Sequence, residues 1–206
     1  MAEMTFYFGT MGSGKSTQAL QIHHNLSTSG QNGLLLTQLD RAVSAVSSRL
    51  GVSEPAIEVG ATLDLYRLAD DVIAEHGTLE YMVCDEAQFY RPAQVDQLAD
   101  VVDLLDADVY AFGLLTDFRG VLFEGSARFL EVADHRQELQ VEARCWCTRR
   151  ATHNARLVDG KQVYEGEVVV VGDTGGRDAA GLEPSDDLEV TYELLCRRHW
   201  NEARRA

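Results

Sequence analysis

The sequence predicts an α/β fold built on a doubly wound, mainly parallel sheet. Three observations carry that prediction. An apolar run, Met4 to Phe8, leads into the glycine-rich stretch Gly9-Thr10-Met11-Gly12-Ser13-Gly14-Lys15-Ser16, which opens a helix-like segment at Thr17 to Ile22. Short apolar runs and amphipathic segments then alternate along the chain, as parallel β–α–β units require. One of those runs, Tyr81 to Cys84, ends in the acids Asp85 and Glu86.

Strand, glycine-rich turn and helix in that order are the context of a phosphate-binding P-loop. The glycines let the backbone curl until successive N–H groups, from Gly9 through Thr10, Met11, Gly12, Ser13 and Gly14, face an anion. The helix that follows adds the partial positive charge of its N-terminus. Lys15 reaches the β- and γ-phosphates of a nucleotide, and the Ser16 hydroxyl suits Mg²⁺. All eight positions of the motif are satisfied, which sets aside a plain connecting turn.

The remaining elements follow in order. The first helix ends near Ser29-Gly30, and Gly33 to Thr37 reads as a short buried strand. Gln38 to Leu50 is mixed, with Asp40, Arg41 and Arg49 as its charges, and Ile57-Glu58-Val59 suits another short strand. Leu63 to His76 has apolar residues at helical spacing. Asp85, at the carboxyl end of the Tyr81 strand, fits the Walker B acid that helps to hold Mg²⁺ beside a P-loop. Pro92 starts a helix that runs to about Leu105, because a proline loses nothing in the first turn. Asp108 to Gly113 is the next strand, Gly113 to Gly125 a loop rich in Phe, Asp, Arg and Gly, and Leu139 to Ala143 a final strand.

Texture changes at Arg144, so we divide the chain into an α/β domain at 1–143 and a small domain at 144–206. Cys145-Trp146-Cys147 opens the second and Cys196-Arg197-Arg198-His199 nearly closes it. Between them Asp159-Gly160 predicts a tight hairpin turn joining Ala155–Val158 to the segment from Gln162. Glu167 to Val171 is strand-like, and Gly172 to Asp187, rich in Gly and Asp, reads as a loop.

The bulk properties exclude several classes. The formal net charge of −15 over 206 residues repels nucleic acid, which is bound through Lys and Arg. A small substrate fits better, with positive charge concentrated where a phosphate sits. Met1-Ala2-Glu3 has no basic n-region and no long apolar stretch after it, so no signal peptide is expected. No apolar run approaches the roughly 20 residues of a membrane span. Four cysteines (Cys84, Cys145, Cys147, Cys196) in such a chain read as reduced thiols or metal ligands. His23, His24, His76, His135 and His153 are assigned no role.

Together these motifs resemble the cytosolic, zinc-containing (type II) thymidine kinase family, in a bacterial form. The P-loop with Met11 and Ser13, the run Asp85-Glu86-Ala87-Gln88-Phe89, the loop Thr116-Asp117-Phe118-Arg119-Gly120 and the Cys196-Arg197-Arg198-His199 ending occur in the family's order, over nearly the whole chain. The resemblance implies a P-loop (RecA-like) domain with a small zinc lobe bearing a lasso loop. It implies Mg²⁺-dependent transfer of the γ-phosphate of ATP to the 5′-hydroxyl of thymidine, in cytoplasmic salvage, by a homotetramer or dimer under feedback inhibition by dTTP. Glu86 matches the family's catalytic base, with Asp85 and Gln88 in the same nucleotide-side motif. Met11, Leu114, Phe118 and Phe123 match the apolar walls around thymine, and Asn154, Val168, Val170 and Tyr192 the lasso contacts. Arg49 matches an arginine near the phosphates. Departures are Gly12, where many members carry a bulky residue, a C-x-C first cysteine pair in place of the common C-x-x-C, and a longer Gly172–Thr191 segment.

The chemistry fits these assignments. Adjacent strand residues turn to opposite sides, so Asp85 can face Mg²⁺ while Glu86 faces an acceptor hydroxyl; a positioned base contributes on the order of 10²–10⁴-fold. Arg49 and Arg119 are candidates to stabilise charge on the transferring phosphoryl group. Phe118 and Phe123 can stack on a pyrimidine, and the methyl that distinguishes thymine from uracil is worth only about 1–3 kcal/mol, so deoxyuridine should also be accepted. Cys145, Cys147, Cys196 and His199 make a plausible tetrahedral structural Zn²⁺ set. The alternatives are a P-loop kinase for another deoxynucleoside, and a nucleotide-switch ATPase that binds a partner protein. The motif order and cysteine lobe speak against the first, the Phe118/Phe123 loop against the second.

Overall fold

The apolar run at the start of the chain forms strand β1 (Met4–Gly9), and the glycine-rich turn delivers it into helix α1 (Lys15–Thr28). There follow β2 (Gly33–Thr37), the short β3 (Ala45–Ser47), β4 (Ser53–Pro55) and β5 (Ile57–Glu58), then α2 (Leu65–His76), β6 (Tyr81–Cys84) and a 3₁₀ turn at Ala87–Phe89. Helix α3 (Pro92–Leu105), β7 (Asp108–Leu114), α4 (Glu124–Val132) and β8 (His135–Glu138) complete the first part; β9 (His153–Val158), β10 (Lys161–Val163), β11 (Val190–Leu195) and α5 (Arg197–Glu202) form the second. The structure, a computed structural model, describes residues 1–38, 45–47, 53–139, 143–168 and 190–202. Arg49, Val170 and the expected loop at 172–187 lie outside the described residues.

Six strands pair in parallel in the order β5-β2-β6-β7-β1-β8. Side chains alternate across the sheet with the strand period of two. Met82 and Cys84 of β6, Val109 and Ala111 of β7 and Leu36 of β2 pack on one side with Leu65 and Ala69 of α2, Val95, Leu98 and Val101 of α3, and Phe129 of α4. Tyr81, Val83, Phe112 and Leu35 face the other side, against Ala19 and Leu20 of α1. Helices therefore cover both faces, as the alternating sequence pattern predicts. Each of the larger side chains among them (Leu, Val, Met, Phe) contributes about 1.5–3 kcal/mol by burial, far more than a local helix pair at about 0.2–0.5 kcal/mol. Local signals set the boundaries: Asp64 accepts a hydrogen bond from the Arg67 N–H at the start of α2, Gly77 closes it in the left-handed conformation, and Pro92 sits in the first turn of α3.

By internal contacts the chain divides into Met1–Leu115 with Leu122–Val141, and Thr116–Val121 with Glu142–Ala206. The second unit holds an antiparallel sheet in the order β10-β9-β11. Its hairpin turn is Asp159-Gly160, both with positive φ (49° and 73°), as a two-residue type I′ connection requires. Cys145, Ala155, Leu195, Cys196 and Trp200 form its core. Among the described residues no helix is long and apolar enough to cross a membrane.

Three expectations change. An edge strand forms at His135–Glu138, ahead of the expected final strand; Leu139 and Ala143 belong to no strand, 140–142 lie outside the described residues, and the Leu139 N–H donates to the Phe8 carbonyl at 2.8 Å. All four β8 side chains are exposed, because an edge strand can pair through its backbone while burying none of them. The expected loop from Gly113 ends in helix, with α4 beginning at Glu124. Glu167 and Val168 belong to no strand; the rest of that expected strand, 169–171, lies outside the described residues.

Candidate active site

The P-loop turns on two left-handed glycines, Gly12 (φ 72°) and Gly14 (φ 81°). The Ser13 N–H donates to the Thr10 carbonyl at 3.2 Å, and the buried Lys15 ammonium donates to the same carbonyl at 2.9 Å. Its stem is thereby folded along the loop, with the charge beside the curled backbone. No side chain caps α1, so the first-turn N–H groups have no competing ligand from the chain's own caps and suit an anion.

Beside this loop, β6 delivers Asp85. The residue is 3 % exposed, the Ser16 hydroxyl lies close enough to pull its carboxyl down, and Oδ1 has no hydrogen-bond partner among the described residues. Burial, reinforced by the charge of Glu86, pushes it up to about 6, against the pull of Ser16 and Lys15. A buried carboxylate oxygen with no donor, next to a serine hydroxyl, is what a hard divalent cation requires.

Glu86 adopts the left-handed conformation (φ 52°, ψ 31°), which costs a non-glycine residue about 1–2 kcal/mol. The chain thus breaks direction between the two acids. Gln88 fixes the result: its Nε2 donates to Glu86 Oε2 at 2.5 Å, while its Oε1 accepts from the Leu114 N–H at 3.0 Å. The Leu114 carbonyl in turn accepts from Ser126 at 2.6 Å. Gln88, itself buried, therefore ties Glu86 to the carboxyl end of β7. Phe123 lies edge-on to Phe89, ring centroids 5.4 Å apart, and Gly125 of α4 lies directly against the turn that carries Gln88.

In the second unit, Asp117 organises its own loop. It accepts from the N–H groups of Arg119 (2.9 Å) and Val121 (3.0 Å) and from the Arg119 guanidinium at 2.7 and 2.6 Å. Phe118 and Asn154 are buried, Val168 and Tyr192 half-buried. The Trp200 indole N–H donates to the Phe118 carbonyl at 3.1 Å. One residue here goes unassigned by the sequence: Arg156, whose guanidinium lies 3.8 Å over the Phe118 ring. An arginine on a strand reads as a solvated face, and nothing local signals its partners.

The same unit gathers Cys145, Cys147, Cys196 and His199, whose ligand atoms all lie within 4.8 Å of one another. A Cys₃His zinc tetrahedron has edges of about 3.8 Å between sulfurs and about 3.6 Å between sulfur and nitrogen. Cys147 Sγ to Cys196 Sγ is 3.8 Å, Cys196 Sγ to His199 Nδ1 is 3.6 Å, and Cys145 Sγ to His199 Nδ1 is a shorter 3.2 Å. The C-x-C spacing is accommodated by a tight turn in which the Thr148 N–H donates to the Cys145 carbonyl and the Cys145 N–H to that of Arg149. Trp146 stacks on the His199 ring at 3.8 Å, and Glu202 lies 3.7 Å from its other nitrogen. The set suits a closed structural zinc site. Cys84 is apart from it, in the core of the large sheet, its thiol pushed up to about 12 by burial.

Comparison with known proteins agrees with this geometry. A family model described as thymidine kinase matches residues 2–179. The chain is 54% identical over 200 residues to a thymidine kinase of Streptomyces coelicolor, covering 97% of this chain and 88% of that one. It is 50% identical to one of Cutibacterium acnes with the same coverage, and 40% identical over 212 residues to one of Ruegeria pomeroyi, covering 98% and 96%.

Proposed function

Since the chain belongs to the thymidine kinase family, we propose that it transfers the γ-phosphate of ATP to the 5′-hydroxyl of thymidine, and of deoxyuridine. The observation that carries the mechanism is the fixed carboxylate of Glu86, the residue directly after the Walker B acid Asp85, braced by Gln88 against Leu114. In this reading the backbone of Gly9 to Gly14 cradles the triphosphate and Lys15 neutralises it. Ser16 and Asp85 would hold Mg²⁺, which supplies charge neutralisation across the β- and γ-phosphates; the unpartnered Asp85 oxygen supports that assignment. Glu86 accepts the proton of the 5′-hydroxyl as the oxygen attacks, and in-line positioning supplies most of the remaining acceleration. Arg119, oriented by Asp117, and Arg49 add positive charge for the phosphoryl group. Met11, Leu114, Phe118 and Phe123 receive the thymine ring, and Asn154, Val168, Val170 and Tyr192 contact the nucleoside.

Cys145, Cys147, Cys196 and His199 hold a structural Zn²⁺; the tetrahedral edge lengths support it. We further propose a cytoplasmic salvage enzyme, a homotetramer or dimer, inhibited by dTTP, which combines the thymidine moiety with a triphosphate. The test is phosphoryl transfer from labelled ATP to deoxyadenosine, deoxyguanosine, deoxycytidine, thymidine and deoxyuridine. Thymidine-dependent consumption of ATP is expected; steady ATP hydrolysis indifferent to any nucleoside would overturn the assignment. Glu86→Gln should retain ATP binding and lose about 10²–10⁴-fold in kcat. Near-normal turnover in that variant removes Glu86 from the mechanism.

A further inference from the structure

We propose that Arg156 is a positioning residue for nucleoside recognition, a step that rests on the reading above of Phe118, Val168 and Tyr192 as nucleoside contacts. Arg156 is 3 % exposed. A buried charge is normally neutralised by a carboxylate, because leaving water costs several kcal/mol per ion. Among the described residues Arg156 has none. Its Nε donates to the Tyr192 hydroxyl at 2.9 Å, and its two terminal nitrogens donate to the carbonyls of Glu167 (2.5 Å) and Val168 (2.9 Å). Its plane lies 3.8 Å over Phe118 and 5.5 Å from the Tyr192 ring.

One side chain therefore touches three of the residues assigned to the nucleoside, all within the second unit. The strand register explains how. Arg156 pairs with Tyr192 and Asn154 with Leu194, so Asn154, Arg156 and Tyr192 share one face of the small sheet. Ala155 and Leu195 belong to the opposite face, packed with Cys145, Cys196 and Trp200. The metal cluster and its core thus occupy one side of β9, and the nucleoside groups the other. Arginine suits the position as lysine cannot: a planar fork satisfies two carbonyls and a hydroxyl while stacking on an aromatic ring. A residue needed only to fill the space would not call for a charge that burial penalises.

The experiment is steady-state kinetics of Arg156→Met and Arg156→Lys, titrating thymidine and ATP separately, with melting curves and zinc content on the same preparations. The expected result is a thymidine KM raised about tenfold or more in Arg156→Met, a smaller rise in Arg156→Lys, and an ATP KM within about twofold of wild type, with zinc retained. A folded variant whose thymidine KM stays within about twofold of wild type, whatever its melting point, overturns the proposal. Should Arg156→Met fail to fold, Arg156→Lys, which keeps charge and stem, decides on the same readout. Wild-type turnover separates the two ideas: its absence with thymidine refutes the kinase reading, whereas normal wild-type turnover with an unmoved KM in the variants refutes this one alone.

Discussion

Gly125 is the position at which the packing around Glu86 can be tested with a single methyl group. It lies in helix α4 with no positive φ to protect, so helix propensity alone favours Gly125→Ala by about 1 kcal/mol. Packing opposes it. A Cβ there would stand 2.5 Å from the Tyr90 carbonyl oxygen, 2.8 Å from that of Ala87 and 2.9 Å from that of Gln88. All three are backbone atoms and cannot swing aside. Moving the shortest contact from 2.5 to 3.4 Å, where ordinary contact begins, parts helix and turn by about 0.9 Å. Overpacking of this kind costs about 1–3 kcal/mol, and three simultaneous backbone contacts belong at the upper end. The net loss is about 2 kcal/mol, or roughly 4–8 °C of melting temperature in a chain of this length. The same displacement moves Gln88, and with it Glu86; a shift near 1 Å can cost on the order of 10² in rate. Thermal melts and kcat for Gly125→Ala measure both. A melting point at or above wild type would show that propensity outweighs packing here and refute the reasoning.

Two other perturbations follow from the buried acid and the sulfur cluster. The Asp85 carboxyl rises from an ordinary 3.8 to about 6, so the folded protein holds a proton that the unfolded chain has already released between those values. Its contribution therefore lowers stability as pH rises through that window and remains in full above it, at about 3 kcal/mol. Asp85→Asn should gain about 1–3 kcal/mol in urea titrations at pH 8 without Mg²⁺ or nucleotide and keep roughly half of that at pH 5, while losing turnover; a gain that does not shrink on acidification contradicts the burial argument. Elemental analysis of protein purified without chelator should find about one zinc per chain, and Cys145→Ser should lose it together with the near-ultraviolet signal of Trp146 and Trp200. Less than about a tenth of a zinc per chain in wild type would dismiss the cluster as a metal site.

What could be read from the sequence was whatever chemistry acts over short separations. The P-loop, the Asp85 strand end and the Asp159-Gly160 hairpin are each specified within eight residues, and helix α3 begins at a proline and follows a regular apolar stripe. Features set by distant partners were not legible. Strand β8 has no apolar alternation because its side chains bury nothing. Helix α4 is disguised by Gly125, a poor helix former that is there because a neighbouring turn leaves no room for a side chain. Arg156 finds its partners 11 to 36 residues away along the chain, on carbonyls that no side-chain pattern announces. The bracing of Glu86 by Gln88 was half visible: the residue was singled out, but its grip on the Leu114 N–H needs the adjacency of β6 and β7.

Thr116–Val121 groups with the second unit, although β7 before it and α4 after it belong to the first. The small unit is consequently not a detachable cassette. A chimera that exchanged only 142–206 between two relatives would present Phe118 and Gly120 to a foreign Trp200 and a foreign Arg156, while a fragment ending at 141 would strip that hexapeptide of the indole that holds it. Viable breakpoints must come in pairs, so that the loop travels with its clamp.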